Sequence, residues 1–260
     1  MGEYTLPHAL LGERQRLALM SSLLDSIETA CIDRLGVRPG WRCLELGCGN
    51  GSISLALAER VAPTGHVIAS DIDIAYIADL RAPCLEVRRI DVLQDAIEEG
   101  SYDFVVARAL LHHLSPARKA LERMASALKP GGALLSIEPD MLPCTVTEPD
   151  SIRAFWQGWL TWSAEHGIDY FIGRKIPAWM DSLGLENVAG EGHTALFNGG
   201  SDWARYWTET ILELAPSLLK QDHVTEKLLA EFHARYQDPH YWTSVITFMA
   251  NWGRKPSKNQ

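Results

Sequence analysis

The spacing of apolar residues predicts alternating strands and helices between residues 41 and 140. Short apolar runs predict five strands, at residues 42–46, 66–70, 85–90, 102–107 and 133–138. Helical spacing predicts helices at residues 52–61, 74–80 and 116–128. Strands that alternate with helices along a chain are typical of a parallel sheet with helices on both faces. The pattern therefore predicts an α/β fold.

A helical pattern also precedes the first predicted strand. Apolar residues recur at helical spacing from Leu10 to Cys31, and Gly36 follows at the point where a helix would end. We therefore predict an N-terminal helical cap over residues 1–35.

After residue 140 the pattern becomes mainly helical and rich in tryptophan. Eight of the nine tryptophans lie from Trp156 onward. Asp150 or Ser151 is expected to cap one helix, and Ser201 is expected to cap another. Further elements are predicted as a helix at residues 174–183, a sixth strand at 185–188 and the last strand at 243–250.

The aromatic helices have more than one interpretation. Helices inserted late in an α/β fold often cover the ligand cleft, so His166, Asp169 and Tyr170, which lie between them, could enter the pocket. Each tryptophan taken alone is more readily explained by packing in the core. The aromatic region as a whole could equally form the interface of a homodimer.

Length and composition restrict the class of protein. The chain has 260 residues, 47% hydrophobic and 22% charged, as expected for one large domain. A net charge of −9 argues against nucleic acid as a partner. The five cysteines include no C-x-x-C pair, which argues against a zinc site or a disulfide framework. No apolar run reaches the ~18 residues of a membrane helix and no secretory signal is evident, so we expect a cytoplasmic protein.

A glycine-rich segment follows the first predicted strand. Gly47, Gly49 and Gly51 allow a tight turn and the close approach of a ligand before a helix. A dinucleotide-binding loop would read G-x-G-x-x-G, whereas the third glycine here comes one residue early. Glu45 precedes the loop, and its carboxylate suits an ammonium group better than a pyrophosphate. The loop therefore argues against a nicotinamide cofactor.

Two further acids follow the next two predicted strands. Asp71 ends the second strand, where a carboxylate can accept both hydroxyls of a ribose. Asp91 follows the third strand, where it could accept a hydrogen bond from an adenine amino group. Each acid alone is more readily a solvated loop residue. Because open parallel sheets bind ligands at the carboxyl ends of their strands, we expect Glu45, Asp71 and Asp91 to meet in one crevice.

This constellation resembles the class I S-adenosylmethionine-dependent methyltransferases over roughly residues 36–140. The motifs that carry the resemblance are residues 45–51, Asp71, Asp91, Tyr102-Asp103-Phe104-Val105-Val106, Leu111-His112-His113-Leu114 and Leu128-Lys129-Pro130-Gly131-Gly132. The branch that methylates small metabolites, including quinone-type compounds, is the most similar. The resemblance implies a Rossmann-like, doubly wound, seven-stranded and mostly parallel sheet whose last strand is antiparallel.

The resemblance also implies a single domain over residues 1–260. Its parts would be the cap at 1–35, the cofactor-binding core at 36–140, and further core elements with substrate-covering helical insertions at 141–242. The last strand and a tail would follow at 243–260.

The cofactor implied by the resemblance is S-adenosylmethionine, with S-adenosylhomocysteine as the product. The implied cofactor residues are Tyr4, Glu45, Gly47, Cys48, Gly49, Gly51, Asp71, Ile72, Asp91, Val92, Ala107 and Arg108. The glycine loop would line the methionine and ribose, with Glu45 near the amino group and Asp71 on the ribose hydroxyls. Ile72 would pack against the adenine, and Asp91 and Val92 would contact its edge.

Other positions of the implied site have more than one interpretation. Ala107 would offer its carbonyl to the ammonium group, and Arg108 would pair with an acidic substrate group or with Glu138. Tyr4 and Arg16 would cover the cofactor, as N-terminal segments do in similar proteins. The alternative interpretation is that Tyr4 is a surface residue and that Arg16 lies on the face of a helix.

Methyl transfer from a sulfonium needs no acid for the leaving group, which departs as a neutral thioether. The protein must hold the methyl carbon and the nucleophile in line, ~3–3.5 Å apart, and exclude water. Where the nucleophile must lose a proton, His112 or His113 could accept it, although a structural turn is the alternative. Glu138 and Asp140 could orient a substrate group or be solvated acids.

We therefore predict in-line SN2 transfer of a methyl group to an O, N or C atom of a small, apolar or aromatic metabolite. No metal ion is expected, because residues 107–108 lack the acidic ligands of metal-dependent catechol methyltransferases. A protein that binds S-adenosylmethionine without methyl transfer, and a methyltransferase of protein or RNA, remain alternatives.

Overall fold

The computed structural model describes residues 12–257, so Tyr4 lies outside the described residues. The strands are β1 Arg42–Leu46, β2 His66–Asp71, β3 Leu85–Arg89, β4 Tyr102–Arg108, β5 Leu128–Asp140, β6 Glu186–Thr194, β7 Phe197–Asn198, β8 Trp242–Thr243 and β9 Thr247–Arg254. The helices are α1 Glu13–Leu35, α2 Ser52–Val61, α3 Ala117–Ala127, α4 Asp150–Glu165, α5 Ile176–Ser182, α6 Asp202–Lys220 and α7 Glu226–Gln237. Short 3₁₀ helices are found at Leu111–His113, Leu142–Val146 and Gly173–Lys175.

Seven strands form the central sheet in the order β3-β2-β1-β4-β5-β9-β6, and β7 pairs with β8 separately. β9 runs antiparallel to both of its neighbours, and the other adjacent strands of this sheet are parallel. This arrangement confirms the Rossmann-like, doubly wound sheet with its last strand antiparallel. The strand order reverses between β1 and β4, and open α/β sheets bind ligands in the crevice at such a point.

Successive residues of the central strands pack on opposite faces of the sheet. Leu44 and Val105 belong to the apolar core on one face, whereas Cys43, Phe104 and Val106 belong to the core on the other face. Parallel strands covered by helices on both faces are continuous apolar runs in the sequence. This double burial explains why the strand pattern between residues 41 and 140 was readily recognised.

The predicted helix at residues 74–80 is wrong, because residues 75–79 form turns. The carboxylate of Asp71 accepts the backbone N–H of Asp73 at 3.2 Å, and the carboxylate of Asp73 accepts that of Ala75 at 2.9 Å. Side chains that bond to nearby backbone groups in this way compete with helix formation.

The last two strands of the main sheet are displaced from their predicted positions. β6 extends to Thr194, well beyond the predicted end at residue 188. The last strand is Thr247–Arg254 instead of 243–250, because Trp242 and Thr243 pair with β7 outside the main sheet.

The late helices α4, α6 and α7 pack against one another. Ser201 caps α6 as predicted, since its hydroxyl oxygen accepts the N–H of Ala204 at 3.3 Å. The N-cap of α4 is Pro149 instead of Asp150 or Ser151. In the part of the chain from residue 12 to 257, no helix is both long and apolar enough to cross a membrane.

Most tryptophans of these helices are core residues. The buried indoles are Trp156, Trp159, Trp162 and Trp207. The rings of Trp156 and Trp207 meet edge-on with centroids 4.9 Å apart, a favourable aromatic geometry. Core packing is therefore the correct interpretation for Trp156, Trp159 and Trp162, whereas Trp242 is 59% exposed.

Replacing Gly158 with alanine is expected to lower the free energy of unfolding by about 1–3 kcal/mol. A Cβ atom at this position of α4 would overlap the carbonyl oxygen of His223, a backbone atom that cannot rotate away. Urea unfolding followed by tryptophan fluorescence measures the change. The neighbouring exposed Gln157→Ala is the control, with an expected change below about 0.5 kcal/mol. Equal stability of the two variants would show that the two backbones are not in contact.

Candidate active site

A large cavity opens at the carboxyl ends of β1, β2 and β4. Its volume is about 730 Å³, which lies in the range of small-molecule sites. Residues of α1, of α6 and of the segment that follows α4 complete its wall. The lining includes these residues predicted for the site: Glu45, Gly47, Cys48, Gly49, Asp71, Ile72, Asp91, Val92, Arg108, His112 and His113. The strand-end acids therefore meet in one crevice, as the sheet topology requires.

Two other predicted residues lie outside this lining. Gly51 precedes α2 with φ of +79°, and a side chain there would collide with Leu80, so its role in the fold is to let α2 pack against the turns at 74–80. Ala107 is fully buried within β4. The cofactor contacts of these residues stay predictions, as does that of Tyr4.

The glycine loop and Asp71 form one hydrogen-bonded unit. Gly47 and Gly49 have φ of +69° and +56°, in the left-handed region that glycine adopts without strain. The N–H of Gly49 donates to Oδ2 of Asp71 at 3.0 Å, and the N–H of Cys48 donates to the carbonyl of Ser70 at 3.0 Å. Asp71 thereby fixes the loop while its carboxylate borders the cavity.

The wall beside this unit suits an adenosine. Ile72 presents an apolar side chain that is 46% exposed. Asp91 accepts the N–H of Leu93 on Oδ1 at 2.8 Å and the side-chain N–H of Gln94 on Oδ2 at 2.7 Å, and a carboxylate retains further acceptor capacity after two such bonds. A ribose supplies hydroxyl donors, and an adenine supplies a flat apolar ring with an amino donor. The residues present therefore fit the nucleoside part of S-adenosylmethionine.

Charged side chains of α1 and β4 meet close to the glycine loop. Nη1 of Arg108 lies 2.7 Å from Oδ1 of Asp25 and 2.9 Å from Oε2 of the buried Glu28. Glu45 accepts a hydrogen bond from the hydroxyl of Ser54. Burial raises the pKa of Glu45 to about 8 and that of Glu28 to about 7. A cationic amino group beside Glu45 would favour its ionised form, which suits the ammonium of the methionine.

Replacing Arg108 with methionine is expected to lower the free energy of unfolding by about 3–5 kcal/mol, because Glu28 loses its buried cation. The loss should be larger at pH 8 than at pH 5. Without Arg108, the pKa of Glu28 in the folded state should rise further above its unfolded value, so ionisation at high pH opposes folding. The double variant with Glu28→Gln should recover most of the stability at pH 8.

The matched control for this prediction is Arg118→Met. Arg118 and Glu122 form an exposed pair on α3, each side chain 46% accessible. Removing such a pair changes stability by less than about 1 kcal/mol. Equal effects of Arg108→Met and Arg118→Met in thermal unfolding would contradict a buried charge cluster.

His112 is held in place by Glu138. The buried carboxylate accepts the N–H groups of Leu110, Leu111 and His112, at 3.1, 2.8 and 3.2 Å. It also lies 3.0 Å from Nδ1 of His112, which leaves Nε2 as the ring nitrogen available to the cavity. Glu138 is therefore not a solvated acid, and the predicted alternative of a pair with Arg108 is wrong.

Burial keeps both histidines neutral. It lowers the pKa of His112 to about 3, with a further contribution from the positive charge of Arg16. It also lowers the pKa of His113 well below its usual range, and the two rings lie with centroids 3.8 Å apart. Burial raises the pKa of Glu138 to about 8. A neutral imidazole whose Nδ1–H is held by an ionised carboxylate can act as a general base through Nε2.

Aromatic, hydroxyl-bearing and aliphatic side chains complete the cavity. These residues are His166, Tyr170, Tyr206, Trp207, Thr210, Ile246 and Phe248. His166 and Tyr170 were expected near the pocket, whereas Asp169 is outside the lining and pairs with Lys175 at 2.5 Å. Tyr206 and Thr210 of α6 were missed. Their spacing of one helical turn beside the predicted apolar face of Trp207 was the available signal.

Comparison with known proteins gives a consistent assignment. A family model described as a methyltransferase domain matches residues 10–189. A demethylmenaquinone methyltransferase from Oceanobacillus iheyensis is 31% identical over 112 residues, which are 40% of this chain and 47% of that protein. The reducing polyketide synthase BOA6 from Botryotinia fuckeliana is 27% identical over 83% of this chain and 9% of its own length. The chain thus spans less than half of each of these relatives.

A solved structure shares the fold. Phosphoethanolamine N-methyltransferase 2 from Haemonchus contortus, in complex with phosphomonomethylethanolamine and S-adenosylhomocysteine, aligns with a TM-score of 0.57 at 17% identity. The alignment covers 94% of this chain and 53% of that one. Because the family model spans more than half of the residues, the chain belongs to the methyltransferase-domain family.

Proposed function

We propose that the protein transfers the methyl group of S-adenosylmethionine to a small, apolar or aromatic metabolite. The observation that carries this proposal is that His112, which Glu138 orients, lines the same cavity as Asp71 and the glycine loop. The wall that suits a nucleoside and the oriented histidine thus line the same cavity. Transfer between two bound molecules requires this juxtaposition.

When bound, S-adenosylmethionine supplies a methyl group on a sulfonium, whose sulfur departs as a neutral thioether. When Glu138 is ionised, its carboxylate accepts the N–H of Nδ1, and Nε2 of His112 would accept the proton of the acceptor. An O, N or C atom of the acceptor would then attack in line, from about 3–3.5 Å, in an SN2 displacement. The surrounding aromatic side chains would exclude water.

The cavity wall supports an apolar acceptor. Tyr170, Trp207, Ile246 and Phe248 contribute aromatic and aliphatic surface to it. The names demethylmenaquinone methyltransferase and polyketide synthase, carried by two relatives, support small-metabolite chemistry. A net charge of −9 weighs against RNA as the acceptor.

Label transfer tests the proposal. The protein is incubated with S-adenosylmethionine carrying a deuterated methyl group and a panel of quinols, phenols, ketones and amines, and the products are analysed by mass spectrometry. A labelled small molecule supports the proposal. Calorimetric binding of S-adenosylhomocysteine without label in any compound would favour a binding protein without methyl transfer. Label confined to added RNA or protein would favour a macromolecular methyltransferase.

A further inference from the structure

The cavity contains a polar cluster that the proposed mechanism does not use. Glu13 and Arg16, both on α1, are almost fully buried and line the cavity wall. The guanidinium binds the carboxylate in a bidentate manner, with Nε to Oε2 and Nη2 to Oε1 each at 2.7 Å. A buried charged pair of this kind costs desolvation, so its position beside a ligand cavity calls for an explanation.

The cluster extends to a hydroxyl group from a second helix of the cavity wall. Nη1 of Arg16 lies 3.4 Å from the oxygen of Tyr206, a residue of α6 that lines the same cavity. The tyrosine oxygen is the acceptor in this contact, so its own O–H can donate to another oxygen. Burial raises the pKa of Tyr206, so the hydroxyl remains a donor at neutral pH.

The cluster and the two histidines line the same cavity. The charge of Arg16 contributes to lowering the pKa of both His112 and His113. Glu13 compensates the charge of Arg16, so the cluster does not bind a preformed anion strongly. It suits an oxygen that is neutral on binding and gains negative charge as a base removes a proton, the situation in which preorganised donors stabilise a transition state most.

We propose that Tyr206, supported by the Arg16–Glu13 pair, donates a hydrogen bond to the oxygen of the acceptor, and that the acceptor is a phenol, an enol or an enolisable ketone. This inference rests on the proposed function and names its substrate class. The O–H or C–H proton of the acceptor moves to Nε2 of His112. The O–CH₃ or C–CH₃ bond forms as the carbon–sulfur bond breaks, and Tyr206 keeps its own proton throughout. An amine acceptor has no oxygen at the reacting centre to use this donor.

The first test compares acceptors and a hydroxyl deletion. With deuteromethyl donor, label is expected on phenols or 1,3-diketones and not on anilines. Tyr206→Phe should lower kcat for these acceptors by about 10²-fold, the typical effect of deleting one oxyanion donor, and leave the affinity for S-adenosylhomocysteine unchanged. Tyr241→Phe is the matched control, because it deletes a buried hydroxyl that donates to the carbonyl of Glu148 away from the cavity. Its kcat should equal that of the wild type.

The second test does not depend on turnover. 4-Nitrophenol is titrated by absorbance in the presence of protein saturated with S-adenosylhomocysteine, and the pKa of the bound phenol is expected to fall below that of the free compound. Tyr206→Phe should abolish this shift and Tyr241→Phe should retain it.

Methylation confined to amines, unchanged kcat in Tyr206→Phe, or a nitrophenol spectrum that the protein does not alter would each overturn the inference. Absence of label in every acceptor, with a Tyr206-dependent shift of the nitrophenol pKa, would instead refute methyl transfer and leave the oxygen site supported.

Discussion

Replacing Asp71 with alanine is expected to weaken the binding of S-adenosylhomocysteine by about 10²–10⁴-fold, because two hydrogen bonds from hydroxyls to a charged group contribute about 1.5–3 kcal/mol each. In the wild type the N–H of Gly49 donates to Oδ2 of Asp71. The variant removes this acceptor, so the glycine loop loses its anchor. Isothermal titration calorimetry measures the change. Asp71→Asn retains one acceptor oxygen and should lose affinity by only about tenfold.

Asp79→Asn is the control for the loss of a negative charge from this segment. Asp79 is exposed and is not among the cavity-lining residues. Its affinity for S-adenosylhomocysteine should equal that of the wild type. If Asp71→Ala bound S-adenosylhomocysteine with wild-type affinity, the nucleoside would not lie against β2. That result would also contradict the roles given to Ile72 and Asp91.

The strands β1, β2, β4 and β5 could be predicted from the sequence because they are buried on both faces of the sheet. Residues 104–107, for example, are all apolar, and the helices between these strands follow the 3.6-residue period. The segment at residues 74–80 has a similar apolar spacing, but the side chains of Asp71 and Asp73 bond to the backbone just before it. Local hydrogen bonds of this kind are a matter of geometry, which periodicity does not describe.

The acids of the nucleoside wall could also be predicted, because sheet topology places the ends of parallel strands together. The ion pairs of Arg108 could not be predicted. Its partners Asp25 and Glu28 lie on α1, about eighty residues earlier in the chain, and only the packing of that helix brings them near β4. A signal existed, since Glu28 lies four residues after Leu24 and three before Cys31, on the apolar face of the helix.

The part of the cavity around His112 depends on long-range packing in the same way. Glu138 ends an apolar run and was interpreted as a possible solvated acid, yet the segment at residues 110–112 folds over it and supplies three N–H donors. Tyr206 reaches the cavity only because α6 packs against α1. The contact of Glu138 with the turn has no period or motif, and the helical spacing of Tyr206 shows its face of α6 but not the helix against which α6 packs.

Replacing His112 with glutamine is expected to lower kcat by about 10²–10⁴-fold, the usual contribution of a general base, while the affinity for S-adenosylhomocysteine stays within about twofold of wild type. Glutamine retains a polar side chain of similar size, so loss of the base is separated from loss of the fold. The comparison uses single-turnover label transfer together with calorimetry. His223→Gln is the matched control, because His223 also pairs with a glutamate, Glu165, at 2.8 Å but does not line the cavity.

The pH dependence of the wild type should identify the same pair. Because burial raises the pKa of Glu138 to about 8 and lowers that of His112 to about 3, the carboxyl group retains a proton at neutral pH and donates it to Nδ1, so Nε2 carries hydrogen. Above that pKa the carboxylate accepts from Nδ1–H, and Nε2 becomes a base. The kcat/KM for the acceptor should therefore rise with pH, with a midpoint at or below about 8 because the bound sulfonium charge favours the deprotonated pair. His112→Gln should abolish this rise and His223→Gln should preserve it; a wild-type profile that falls between pH 6 and 8 would exclude the His112–Glu138 pair as the base.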